Sequence, residues 1–116
     1  MNPGFEGLAV KWFMEDHPER FRRDWEWAEK NWHVVKAFEA TALRLIRAGH
    51  KHYSARAIVY VLAFHSAVRE DGCEYKIGND NATDLAQIFC VLHPEHVDFW
   101  EFRRAGWKDF RAAVAA

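Results

Sequence analysis

The sequence predicts an all-α fold, a compact bundle of five or six helices around a buried central helix. Three observations lead to this prediction. Half of the 116 residues are hydrophobic, apolar side chains recur at helical spacing through most of the chain, and a strand-like alternation appears only in one short segment, residues 74–81. The length fits one helical domain, residues 1–116.

Two helical segments are predicted before residue 32. Residues 1–16 contain scattered apolar side chains and are expected to form a short docking helix or a partly ordered arm. Residues 18–31 are expected to form a helix with Pro18 in its first turn. Its apolar stripe comprises Phe21, Trp25 and Ala28.

The clearest helix is predicted between Asn31 and Gly49. Asn31 is a suitable N-cap residue, and Gly49 is a natural C-terminal stop. The row expected to be buried is Val34, Phe38, Ala42 and Leu45.

The next predicted helix begins after a Ser54 cap and ends near Asp71-Gly72. Its apolar residues cover more than one face, so we expect it to be the central helix of the bundle. Those residues are Ile58, Val59, Val61, Leu62 and Phe64.

The segment "EYKIGNDN", residues 74–81, is either an ordered turn or a binding loop. A helix is expected to follow from residue 81 or 83 until His93-Pro94 interrupts it. It would bury Leu85, Ile88, Phe89 and Leu92. The tail is expected to form one helix or two, broken near Gly106, with Val97, Trp100, Trp107 and Phe110 closing the core.

Charge and cysteine content indicate the compartment and class of partner. The chain has 16 Lys and Arg against 17 Asp and Glu, without the basic excess typical of sequence-independent nucleic-acid binding. Cys73 and Cys90 are expected to be reduced thiols in a cytoplasmic protein. The longest apolar run, residues 57–64, is too short to span a bilayer.

No complete catalytic, cofactor or metal signature is present. The seven histidines lack the paired spacing of a zinc site, so we predict no metal, no cofactor and no enzyme activity. Residues 39–62 mimic a helix-turn-helix, but beyond Arg56 the second helix is apolar almost all round. Two packed core helices joined by a turn explain this segment better.

A polar set on the predicted central helix and the following loop forms a candidate ligand site. Cations, amides and flat aromatic rings together suit recognition of a nucleotide base and its phosphate. In the alternative interpretation, the Asn and Asp residues of the loop only form the turn and cap the next helix. The candidate residues are His52, Tyr53, Arg56, His65, Tyr75, Lys76, Asn79 and Asn81.

Four segments together resemble a family of small α-helical phage and prophage proteins: "HYSARAIVYVLAFHSAV", "EYKIGNDN", "IFCVLHPEH" and "DFWEFRR". The resemblance covers roughly residues 31–104, and no chemistry is established for the family. It implies an accessory protein inside a bacterial host cell that counters host defence. Gly78 and residues 82–84 depart from the pattern. The matching positions are Tyr53, Ser54, His65, Tyr75, Lys76 and Asn79.

These observations lead to a non-enzymatic accessory protein that binds, and so sequesters, a nucleotide-like small molecule. Homodimer formation is left open. The first alternative is an inhibitor of a host defence protein that uses exposed aromatic anchors from among Trp12, Trp27 and Trp32. The second is a small helix-turn-helix-like DNA-binding protein, which the charge balance disfavours.

Overall fold

The computed structural model describes residues 3–68, 77–78, 81–100, 110 and 112–114. The fold of these residues is built from helices. Short 3-10 segments cover Pro18–Arg20 and Pro94–Phe99. The prediction of an all-α fold is confirmed. The α-helices within these ranges are α1 (Gly4–Asp16), α2 (Trp25–Lys30), α3 (Trp32–Arg47), α4 (Ala55–Ala67) and α5 (Asn81–Leu92).

The central helix of the bundle is α5, which packs against α1, α3 and α4. Phe89 and Ile88 are fully buried on it, together with most of its other side chains. The prediction that the helix after Ser54 is central was wrong, because α4 leaves Tyr60 and Phe64 more than half exposed. Apolar residues on several faces show that a helix is hydrophobic, but they do not show that other parts of the protein cover all of those faces.

The prediction for α3 is confirmed in its core row and its end. Val34, Phe38 and Ala42 are buried, and Leu45 packs against the core with partial exposure. Gly49 has φ +100°, a left-handed conformation that favours glycine.

Two backbone hydrogen bonds complete the turn after α3. The Gly49 N–H donates to the Ile46 carbonyl, and the His50 N–H donates to the Leu45 carbonyl, each at 3.0–3.1 Å. This pair of bonds is the Schellman motif that closes helix C-termini. Asn31 occupies the N-cap position of α3, but its side-chain amide donates to the Trp27 carbonyl at 2.9 Å and thus serves the end of α2.

Residues 18–31 do not form the one helix that the sequence predicted. After the 3-10 segment the chain runs irregularly, and α2 begins only at Trp25, where Asp24 accepts the Trp27 N–H at 3.1 Å. The backbone N–H groups of Arg22 and Arg23 donate to Asp84 of α5, at 3.1 and 2.9 Å. These N–H groups bond to a distant carboxylate in place of the carbonyls of a local helix.

We call residues 20–23 the arginine loop. Its backbone is also held by Gln87, whose amide donates to the Arg20 carbonyl at 3.0 Å. Asn81 accepts the Arg23 Nε–H at 3.3 Å. Because Asn81, Asp84 and Gln87 recur at three-residue spacing, one side of α5 holds the loop.

The N-terminal segment is a helix packed into the fold, since α1 contacts α2 and α5 and Val10 is fully buried. Gly7 allows the close approach of neighbouring chain segments. A Cβ atom there would overlap the Pro3 ring and lie 3.2 Å from the Trp25 indole, so any larger residue at position 7 would force Pro3 away from the helix.

The end of α5 follows the prediction, because the helix stops at Leu92 before His93-Pro94. Beyond it, Trp100 is buried and stacks on Phe38 with ring centroids 5.2 Å apart. Phe110 is helical and buried. Among the predicted features of the tail, Gly106 and Trp107 lie outside the described residues, as does most of the 74–81 segment.

Candidate functional site

Three large apolar residues on the exposed side of α4, together with its C-cap residue Val68, form a surface that we call the α4 face. Tyr60 is 58%, Val61 45%, Phe64 64% and Val68 62% exposed. At about 100° per residue, they occupy an arc of about 100° on one side of the helix. An isolated exposed apolar residue is ordinary, whereas a contiguous group on one helix indicates a contact surface.

Basic groups border the α4 face. Arg56 and His65 lie about 40° beyond its two edges, and both are exposed. The ring of His65 meets that of Phe64 edge-on, with centroids 5.7 Å apart. Helix α4 contains no acidic residue, so the face is apolar in the middle and basic at its edges.

The opposite side of α4 fixes the helix to the bundle. Ala55, Ile58, Val59 and Ser66 are buried there, and α4 packs on α3 and α5. At the start, the Ser54 hydroxyl accepts the Ala57 N–H at 3.4 Å, as the sequence predicted for a cap. The α4 face is therefore presented on a helix anchored along its other side.

A bridge to the C-terminal part of the chain also anchors the start of α4. Tyr53 forms a parallel β-bridge with Trp100, and its N–H donates to the Phe99 carbonyl at 3.1 Å. His52 Nδ1 lies 3.1 Å from the Asp98 carbonyl oxygen. These two members of the predicted ligand set thus make contacts that hold the turn before α4.

The other described members of the set lie apart. Arg56 and His65 project about 180° from each other around α4 and about 13 Å apart along its axis, which is too divergent for one small ligand. Asn81 is buried, and its side-chain oxygen accepts from Arg23. Tyr75, Lys76 and Asn79 lie outside the described residues. The nucleotide site therefore stays a prediction.

The predicted tryptophan anchors differ in exposure. Trp12 is exposed on α1, Trp27 is half-buried, and Trp32 is buried and packs edge-on against Trp25 at 6.0 Å. Trp32 was therefore wrongly included. Sequence reasoning assigned Val61 and Phe64 to the core and so missed the α4 face.

A charged network links three helices. His93 Nε2 lies 2.8 Å from Glu39 Oε2, and Lys36 pairs with both Glu39 and Glu6. Burial lowers the pKa of Lys36, but its hydrogen bonds to Glu39 and Glu6 outweigh that effect and leave the pKa raised. Lys36 thus faces two carboxylates, and Glu39 also contacts the His93 ring, which is the arrangement expected of a structural link between α1, α3 and the end of α5.

The thiol of Cys90 is packed in the core. It is fully buried and takes part in no disulfide, and burial raises its pKa to about 12. Nucleophilic cysteines need an accessible, low-pKa thiolate, so Cys90 is poorly suited to catalysis. Cys73 lies outside the described residues.

Two features are absent from the described part of the chain: a metal-binding cluster and a membrane-spanning helix. No cluster of three or more His, Cys, Asp or Glu side chains within it is arranged to hold a metal ion. Among its helices, none is long and apolar enough to cross a membrane.

Comparisons with known proteins yielded no family model that matches the sequence and no curated protein or solved structure that is similar to it. No enzyme family is indicated. The resemblance to phage proteins and the cytoplasmic location stay predictions.

Proposed function

We propose that this protein acts without catalysis, by binding a partner protein through the α4 face. The observation that carries the proposal is the exposure of Tyr60, Val61, Phe64 and Val68 on one anchored helix. Burying such side chains releases roughly 25 cal/mol per Å² of apolar surface. Aromatic residues among them are the type enriched at interface hot spots.

The geometry of the face favours a helix as the partner element. Tyr60, Phe64 and the C-cap residue Val68 follow one another at four-residue spacing and form a ridge along α4 to its C-terminal end. Ridges of this kind pack into the grooves between side chains of a second helix. The partner therefore presents an amphipathic helix with an apolar stripe.

Charge specifies the flanks of that partner helix. Arg56 and the exposed Lys51 lie at the N-terminal end of α4, where the helix dipole adds partial positive charge. Acidic side chains beside the apolar stripe of the partner would complement these groups. Two copies of α4 paired face to face would meet without an acidic residue on either helix, so we favour a different, acidic partner over a homodimer.

The DNA-binding alternative receives less support from the same surface. A recognition helix needs polar side chains directed at base edges, whereas the middle of the exposed side of α4 is apolar. The basic group at the start of α4 is too small to change this preference.

The test uses a synthetic amphipathic helix of about 20 residues, long enough to be helical in isolation. It carries leucines at four-residue spacing and glutamates on both flanks. Fluorescence anisotropy should detect binding to the parent protein, and Phe64→Ala should weaken it by about tenfold or more. Arg56→Ala should weaken binding and reduce its dependence on salt.

Two controls distinguish specific binding at the α4 face from nonspecific hydrophobic association. Phe5→Ala removes an even more exposed phenylalanine, 91% exposed on α1, and should leave the affinity unchanged. A peptide with lysines in place of the glutamates should bind at least tenfold more weakly. Equal binding of the two peptides, or parent-like binding by Phe64→Ala, would refute the proposal. A parent homodimer in sedimentation that Phe64→Ala abolishes would replace the acidic partner with a second copy.

A further inference from the structure

We infer that the cavity between α1, the arginine loop and α2 binds a small aromatic molecule that carries a phosphate or a carboxylate. This inference does not rest on the α4 face. The cavity has a volume of about 460 Å³, within the range of small-molecule pockets. Its lining includes Met14, Phe21, Arg22, Arg23, Trp25 and Trp27.

The apolar walls of the cavity are held in place by the core. Met14 is buried, and Phe21 packs edge-on against Phe13 with ring centroids 6.1 Å apart. Trp25 is braced by the buried Trp32. Fixed aromatic faces of this kind can stack on a flat ring without a large cost in side-chain entropy.

Two guanidinium groups supply the positive charge. Arg22 and Arg23 are exposed at the cavity, and Arg22 forms no ion pair among the residues that the structure describes. A guanidinium binds phosphate or carboxylate through two parallel hydrogen bonds. Arginine beside aromatic faces therefore selects a ligand with both an anionic group and a ring.

Buried polar groups of α5 fix the arginine loop. Asp84 and Asn81 are buried, and they accept hydrogen bonds from the Arg22 and Arg23 backbone and from the Arg23 side chain. Because α5 fixes the backbone of the arginine loop, the exposed side chains of Arg22 and Arg23 start from a defined position. Such preorganisation lowers the entropic cost of ligand binding.

The acidic residues at the cavity already have partners. Asp24 accepts the Trp27 N–H as the cap of α2, and Glu15 lies 3.9 Å from Lys11 on α1. The Arg23 Nε–H already donates to Asn81. Arg22, whose side chain forms no ion pair among the described residues, is therefore the cation best placed to meet an anionic ligand.

The test is calorimetric titration of the full chain with two probes, adenosine 5′-monophosphate and indole-3-acetate. Each probe carries a bicyclic aromatic ring, adenine with a phosphate in the first and indole with a carboxylate in the second, so each represents one of the two ligand types. At least one should bind with a dissociation constant below about 1 mM. Adenosine and inorganic phosphate, which each lack one of the two features, should bind at least tenfold more weakly than the better probe.

Substitutions then assign the site. Arg22→Ala should reduce affinity by about ten- to a hundredfold, the range for a lost charge-assisted hydrogen bond. Arg22→Lys should give a smaller loss, because it keeps the charge without the planar fork. The matched control is Arg47→Ala, which removes an exposed arginine near the end of α3 and should bind like the parent.

A spectroscopic readout locates the ligand independently. In NMR spectra, the indole N–H signals of Trp25 and Trp27 should shift on titration, while that of the exposed Trp12, outside the cavity, should not. Absence of binding by both probes, parent-like binding by Arg22→Ala, or shifts confined to Trp12 would each overturn the inference.

Discussion

Asp84 is a buried carboxylate that accepts hydrogen bonds from the backbone N–H groups of Arg22 and Arg23, which lie 62 and 61 residues earlier in the chain. Burial raises the pKa of Asp84, because desolvation outweighs the hydrogen bonds from the Arg22 and Arg23 N–H groups and their charges. The folded protein therefore favours the protonated form of this carboxyl more than the unfolded chain does. Its contribution to stability is complete below the unfolded pKa, about 3.9, and is lost as the pH rises through the raised folded pKa.

Asp84→Asn tests this sign, since asparagine does not titrate. The free energy of unfolding of the parent minus that of the variant should fall as the pH rises from about 4 to neutrality. Urea denaturation of both proteins across this interval provides the measurement. A difference that rises with pH would mean that the backbone donors dominate and lower the pKa.

The residues that hold the arginine loop could not be predicted from the sequence. Asn81 was assigned to a ligand or a helix cap, and Asp84 and Gln87 look like exposed polar positions of an amphipathic helix. Their partners lie about 60 residues away, so no local pattern reveals the pairing. Buried polar groups of this kind become visible only once the tertiary contacts are known.

At the level of helices, α3 and α4 show what sequence periodicity can and cannot decide. In α3 the apolar residues form one row between recognisable ends, so the buried side and the glycine stop were both predicted. In α4 apolar residues lie on both sides, and Ile58 is buried while Phe64 is exposed. Periodicity records where apolar side chains are, but the neighbours that cover them are set by the whole fold.

Gly49→Ala tests the end of α3. A Cβ atom added at Gly49 would meet no atom of a non-adjacent residue within 4 Å, so the cost comes from the left-handed backbone alone. We expect the free energy of unfolding to fall by about 1–2 kcal/mol, measured by chemical denaturation. Gly49→Asn should cost less, because asparagine tolerates positive φ better. Equal stability of the parent and both variants would show that the positive φ is not required there.

Among the described residues, buried apolar side chains form a core centred on α5, and exposed ones lie on the α4 face and, as Phe5, Leu8 and Trp12, on α1. Phe89 is 1% exposed and contacts the rings of Trp100 and His93. Phe64 has the same chemistry in a solvent-facing position. The two phenylalanines therefore separate the requirements of folding from those of the proposed binding.

We expect Phe89→Ala to lower the free energy of unfolding by about 3–5 kcal/mol, while Phe64→Ala changes it by less than about 0.5 kcal/mol. Denaturation in urea, followed by circular dichroism, measures both. Comparable losses would place Phe64 within the folding core and would remove the basis for the α4 face.

The fully buried thiol of Cys90 can report on opening of the protein around the central helix α5. Its sulfur is sealed between packed helices and, with a pKa of about 12, is almost entirely protonated at neutral pH. A thiol reagent can modify it only in the brief intervals when α5 separates from its neighbours. The rate of modification at Cys90, measured separately from that at Cys73, therefore reports how often the interior of the bundle opens.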